Sequence, residues 1–164
     1  FAMLVIFLYI FIRFRDWRYL LGTIVALLHD VLVTLAVFSF ARTIVPFPLE
    51  IDQRFIAAVL TVIGFPMNDT VIVFDRIRER LAENEKADST TEERNSLINY
   101  ALNSTLSRTI LTSLTVFFVL LVIFIFGGES IRGFIFALLI GRIIGTYSSL
   151  CISTPIVVDF DKRK

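Results

Sequence analysis

The chain has 164 residues and a formal net charge of +1. Its 56% hydrophobic content and 17 phenylalanines, with a mean hydropathy of +0.79, far exceed what one soluble core of this size needs, so it reads as a membrane protein. The near-neutral charge offers no basic tract for nucleic acid, and a single Cys and a single His exclude an internal disulfide and any Cys- or His-rich metal motif.

The first apolar stretch, residues 1–12, is too short to cross about 30 Å of hydrocarbon at about 1.5 Å per residue. Without a starting Met or a basic leader it reads as the back half of a spanning helix, and the chain as a fragment, rather than as a signal peptide. The segment Arg13-Phe14-Arg15-Asp16-Trp17-Arg18 follows, and then a complete span over residues 20–40 with His29 and Asp30 at its middle. Pro46 and Pro48 predict a tight loop before the next span, residues 55–74.

That second complete span carries Gly64, Pro66 and the polar run Asn68-Asp69-Thr70. A mid-span proline removes a backbone hydrogen bond and loosens the helix just ahead of the carboxylate. Mixed charge at helical spacing through Leu81 predicts that this helix runs beyond the bilayer into a linker, residues 76–101. The linker is expected to break near Asp88 and restart at a capping box formed by Ser89 and Glu92, with Leu97, Ile98 and Ala101 sharing one face.

The span at residues 102–126 holds Arg108 and a series of hydroxyls, Thr105, Thr109, Thr112, Ser113 and Thr115. Gly127-Gly128 predicts a turn. The last span, residues 134–158, carries small residues at a four-residue interval: Gly133, Ala137, Gly141, Gly145, Ser149 and Ser153, a ridge suited to close helix packing. It also contains Arg142, for which the sequence names no partner, and Cys151, which reads as a packed thiol.

Basic residues concentrate on one side: in residues 13–18, in the linker and in Lys162-Arg163-Lys164, against Arg42, Arg54 and Arg132 on the other. The positive-inside rule then places the linker and the C-terminal end in the cytoplasm. The expected fold is all-α, a polytopic transmembrane bundle of four complete spans plus the truncated first.

Ionisable residues inside a membrane span mark a functional site by default. Asp69 lies 14 residues beyond Phe55, about 21 Å at helical rise, which leaves roughly 9 Å to the linker-side edge. Arg108 lies six residues beyond Leu102, about 9 Å from the same edge. Carboxylate and guanidinium are therefore expected to face each other. Burial favours the neutral acid, a nearby guanidinium favours the anion, and Arg keeps its proton, so Asp69 would be the proton carrier and Arg108 its counter-charge. Asp30 is placed about 8 Å further from that edge by the same count. A static salt bridge fixing helix register is the bland alternative. An aspartyl protease pairing Asp30 with Asp69 is disfavoured by that height difference and by the absence of a Gly-x-Gly-Asp motif.

Leu28-His29-Asp30-Val31, the run from Val62 through Asn68-Asp69-Thr70 to Phe74-Asp75-Arg76-Ile77-Arg78-Glu79, and Ala101-Leu102-Asn103-Ser104-Thr105-Leu106-Ser107-Arg108-Thr109 resemble the membrane signature of SecF. So do Gly127-Gly128-Glu129, Leu139-Ile140-Gly141 and Gly145-Thr146-Tyr147-Ser148-Ser149. SecF, alone or as the C-terminal half of a fused SecDF, belongs to the resistance-nodulation-division superfamily. The resemblance covers nearly the whole chain in order. It implies half of a membrane domain of that superfamily, lacking its first span and periplasmic domain, in the bacterial inner membrane.

The activity it implies is non-enzymatic: assistance to Sec-dependent preprotein translocation, driven by the proton motive force, with protons as coupling ion and no other cofactor. The implied partners are SecD or a SecD half, the SecYEG translocon, YajC, the preprotein and membrane lipid. The family's proton-path residues fall on Asp69 and Arg108. His29, Asp30, Asn68, Thr70, Asn103, Thr105 and Thr109 are supporting polar residues, and Gly141 and Gly145 serve helix packing. Pro66 and Arg142 depart from the pattern, standing where a small or apolar residue is expected, and the linker is longer than usual. A proton-driven small-molecule exporter of the same superfamily is the alternative reading.

Overall fold

Apolar runs of this length satisfy their backbone polar groups in lipid only by forming helices or closed barrels, and the linear spacing here selects helices. The computed structural model describes residues 1–47, 49–83 and 91–161. The chain forms α1 (Ala2–Phe14), α2 (Trp17–Ala41), α3 (Gln53–Glu83), α4 (Thr91–Phe126), α5 (Glu129–Ser148), a π-helical turn (Ser149–Ser153) and α6 (Thr154–Asp161). Among the described residues there is no strand. Four rods are long and apolar enough to cross a membrane: α2, α3, α4 and the unbroken run from α5 through α6. With α1 as a shorter apolar helix, the chain is a multi-pass helical membrane protein.

Local chemistry sets the boundaries. Arg15 adopts a left-handed conformation, φ 51°, and its N–H caps α1 on the Phe11 carbonyl. Asp16 then starts α2 by accepting the Arg18 N–H at 3.1 Å, a normal N-cap. Asp52 opens α3 in the same way, accepting the Phe55 N–H at 3.0 Å. The third helix runs 31 residues to Glu83, so the expected extension beyond the bilayer is present. The fourth is one 36-residue helix that carries Leu97, Ile98 and Ala101 straight into the apolar span. The break near Asp88, Ser89 of the capping box, Pro48 and the tail at 162–164 lie outside the described residues.

Two apolar clusters cap the bundle. At the loop-side end, Phe38, Phe55, Leu120, Ile135 and Leu138 pack together, and Arg54 donates to Ser130 to close α3 onto α5. At the linker-side end, Ile10, Phe14, Tyr19, Phe74, Ile77 and Ile98 pack together. There Arg13 reaches Asp75 with a two-pronged contact at 2.7 and 2.6 Å, tying α1 to α3. Between the clusters lies a layer of buried polar residues. Large apolar side chains such as Leu32, Leu111 and Phe118 are exposed around the outside, as lipid-facing residues should be.

The most extensive helix pairing is α3 on α5. Val62 sits over Gly141, Pro66 over Gly145, and Thr70 hydrogen-bonds to Ser149 across 79 residues of chain. The offset is the same at all three positions, so the two helices run parallel with a ridge of α3 seated in the small-residue groove of α5. A Cβ on Gly141 would stand 2.2 Å from Cγ2 of Val62. The predicted packing ridge is therefore a seam with a partner.

The last span differs from the single α-helix expected. The π-helical turn at Ser149–Ser153 interrupts it because Pro155 has no N–H to give to Cys151 and its ring crowds that carbonyl. Ser153 and Thr154 turn their hydroxyls back onto the Ser149 carbonyl, at 2.7 and 3.3 Å, and satisfy the widened turn. Cys151 is exposed on the outer face, not packed as the sequence suggested, since two residues past Ser149 is about 200° around the helix from the α3 seam.

Gly141→Ala is expected to destabilise the protein by about 1–3 kcal/mol through overpacking, read as denaturant unfolding in detergent. Val62→Ala in the same protein should recover much of that loss. Gly64→Ala, with open space around its new methyl group, should leave stability unchanged or slightly raised.

Candidate functional site

Asp69 and Asp30 project into the polar layer from α3 and α2, and both are held by α5. Asp69 is 4% exposed. Its Oδ2 lies 3.2 Å from Nη1 of Arg142, which is 5% exposed. The approach is off-axis for a directed hydrogen bond, leaving Oδ2 without one, so the contact is an electrostatic pairing rather than a bidentate clasp.

Arg142 is braced from two more sides. Its Nη2 donates to Ser113 of α4 at 2.9 Å, and its guanidinium lies 5.6 Å from the Phe65 ring centroid. Ser113 and Thr146 complete the brace with a hydroxyl contact at 2.8 Å. The seam explains how the pair meets. The constant offset sets Asp69 level with Ser148, and Arg142 lies six residues nearer the loop side, about 9 Å along the helix. Its long side chain spans that offset to meet a carboxylate whose Cβ leans back toward the α3 N-terminus.

The expected pairing of Asp69 with Arg108 is not the one formed. Arg108 is exposed, and among the described residues its side chain makes no hydrogen bond or ion pair. It does line the same cavity of about 230 Å³ as Asn68, Asp69, Thr109, Thr112 and Arg142. Ile72 and Arg108 also border a second crevice of about 690 Å³, which runs along Asp75, Arg78, Glu79 and Thr105 at the linker-side end. Arg108 thus stands at the neck between the buried acid and a charged outer crevice. The equal heights inferred for Asp69 and Arg108 agree with this shared cavity, whereas the partner at contact distance is the arginine for which the sequence named none.

Asp30 is fully buried, with Oδ2 accepting from Ser148 at 2.7 Å and Oδ1 at 3.2 Å from Nδ1 of the half-buried His29. The next residue, Ser149, bonds Thr70 at 3.0 Å and the Pro66 carbonyl at 3.1 Å. Asp30 and Asp69 therefore sit at one level on either side of α5, not about 8 Å apart as helical rise from the apparent membrane edges suggested. Helix packing, not the edge of each apolar run, sets their relative height.

Of the supporting residues, Thr70 is buried in the seam, and Asn68 and Thr109 line the inner cavity. Thr105 lines the outer crevice while bonding its own helix. Asn103 is exposed and is not drawn into the site. Thr146 and Ser148 join the site although the sequence reading gave them no role in it, and Ser113, one of the span hydroxyls noted there, braces Arg142. Their signal was weak because single hydroxyls on a span are more often bonded to their own helix.

A protein-family profile described as protein export membrane protein SecD/SecF, C-terminal, matches residues 1–163. The chain is 52% identical over 162 residues to a protein translocase subunit SecF of Rhodothermus marinus, covering 99% of this chain and 51% of that one. It is 44% identical to a SecF of Cereibacter sphaeroides, over 92% of this chain and 43% of the relative. The crystal structure of SecDF, a translocon-associated membrane protein from Thermus thermophilus, superposes with a TM-score of 0.81 at 36% identity, over 96% of this chain and 20% of that one. The chain thus spans about half the length of these curated relatives.

Removing one member of a buried ion pair strands the other, a loss of about 3–5 kcal/mol. Arg142→Met is expected to show a loss of that size in detergent unfolding, and adding Asp69→Asn should recover most of it. Arg108→Met, at an exposed and unpaired position, should change stability by less than about 0.5 kcal/mol.

Proposed function

This chain belongs to the SecD/SecF family of protein export membrane proteins, and on that premise we propose that it is the membrane half of a SecF-type subunit that assists preprotein translocation using the proton motive force. The observation that carries the reading is one buried carboxylate with two guanidinium groups on its cavity wall, Arg142 engaged and Arg108 free. A proton arriving at Asp69 cancels its attraction to Arg142. A rotation that brings Arg108 to Asp69 instead favours the anion and proton release. Two discrete pairings of one acid are what a proton-driven conformational cycle requires.

The outer crevice supplies the aqueous approach. Its Asp75, Arg78 and Glu79 keep water at the linker-side end, and Arg108 at the neck repels a free cation while leaving room for a proton to pass along water. In this reading the linker and C-terminal side face the cytoplasm of a bacterial inner membrane. The partners are SecD or a SecD half, the SecYEG channel with YajC, the preprotein and the surrounding lipid. The chain acts through shape change rather than by enzymatic chemistry. One proton crossing the potential supplies about 2.3 kcal/mol per 100 mV, a bias of roughly fifty-fold on a two-state equilibrium.

The test is proton-dependent preprotein release from inverted membrane vesicles containing the full-length subunit. Asp69→Asn should reduce release to the level seen when the gradient is collapsed, and Arg108→Met should do the same while leaving stability intact. Undiminished gradient-dependent release by either variant would remove the coupling role.

A further inference from the structure

Asp30 differs from Asp69 in having no fixed cation. Its contacts are the Ser148 hydroxyl and the imidazole of His29. From α3 the charged group at this level is Asp69, which is turned to Arg142 of α5. Arg108 of α4 lines the Asp69 cavity, and Arg13 of α1 is engaged with Asp75. Among the described residues no Lys or Arg of any helix forms an ion pair with Asp30. An anion so enclosed is costly in hydrocarbon, and the imidazole beside it can give or take a proton at either ring nitrogen. The His29 side chain is 34% exposed, so it connects a fully buried acid to the outside of the bundle.

The second observation is where the acid is attached. Ser148 immediately precedes the π-helical turn, and π-turns inside helices frequently mark functional sites. Ser148 has a single hydroxyl proton and two acceptors within reach, Asp30 at 2.7 Å and the carbonyl of Gly145 in its own helix at 3.3 Å. An ionised Asp30 holds that proton through a charge-assisted bond across α2 and α5. When His29 in its imidazolium form passes its Nδ1 proton to Oδ1, the imidazole becomes neutral and Oδ2 becomes a neutral acceptor. The bond between helices weakens, and the hydroxyl is free to turn to Gly145. The adjacent Ser149 grips Thr70 and the Pro66 carbonyl, so a change at Ser148 reaches the segment of α3 that carries Asp69.

We propose that Asp30, loaded through His29, is a second proton-binding site of the bundle, and that through Ser148 it sets how firmly α2 holds the π-helical turn. The proposal deepens the proton-coupled reading above and rests on it for its physiological meaning, but its test does not depend on export.

The full-length subunit, reconstituted in phospholipid vesicles with Asp69→Asn in place to silence the first acid, is followed by infrared difference spectroscopy from about pH 5 to pH 8. A carboxylic C=O band that grows on acidification is expected. Adding Asp30→Asn should abolish it, and adding Ser148→Ala should retain it at a shifted frequency because a hydrogen bond to the carboxyl is lost. Size-exclusion elution checks that each variant is folded. A spectrum unchanged by Asp30→Asn overturns the proposal. Should that variant not fold, an absent band, or one whose frequency Ser148→Ala leaves unmoved, overturns it instead. Loss of the export effect at Asp69 with this band present would sink only the coupling role of Asp69. A missing band with that export effect intact would sink only the second site.

Discussion

Charges taken into hydrocarbon must be satisfied there, and in this bundle that requirement falls on one seam between parallel helices. Val62, Pro66 and Thr70 fit against Gly141, Gly145 and Ser149 with a single offset. The glycines let the two helices approach closely enough for the Arg142 side chain to reach Asp69. Were α5 shifted by one residue, the ridge would leave its groove and Arg142 would rotate by about 100° away from the acid. Packing and electrostatics are therefore one constraint: the apolar seam sets the register, and the register makes the ion pair.

The same helix binds the other acid. α5 reaches α3 and α4 through Arg142 and α2 through Ser148, and the adjoining turn reaches α3 through Ser149, so the polar layer radiates from this rod. Apolar clusters lie above and below that layer, and the cavity beside Asp69 adjoins the linker-side crevice at Arg108. The π-helical turn lies at the linker-side margin of this layer. A widened turn held by hydroxyls is easier to rearrange than a regular helix, and it sits where a change in either acid would be felt. The cross-section therefore combines a tightly packed seam with one turn of looser geometry.

Much of this was legible beforehand. The Asn68-Asp69-Thr70 run inside an apolar span marked the acid, the four-residue spacing of small residues marked the packing face of α5, and the Gly127-Gly128 turn and the long extension of α3 fell where expected. The sequence offers no partner for Arg142, whereas Arg108 stands at the depth of Asp69. Depth is what hydropathy and helical rise report. They carry no information about the direction in which a side chain leaves its helix, and Arg142, although about 9 Å off in depth, is the arginine aimed at the acid. The placement of Asp30 above Asp69 failed for a related reason. Each height was counted from the apparent edge of its own apolar run, and such edges do not define a common plane.

The amino-acid sequence alone determined how many rods cross the bilayer, which segments turn, and which ionisable groups are carried into it, because each of these follows from local composition and from the length of a helix against the thickness of hydrocarbon. The tertiary structure alone decided which guanidinium meets Asp69, that both acids lie at one level, and that the last span opens into a π-helical turn against α2 and α3. Those outcomes depend on helix rotation and register, which are set by contacts between residues far apart in the chain, such as Gly141 beneath Val62 and Ser148 against Asp30.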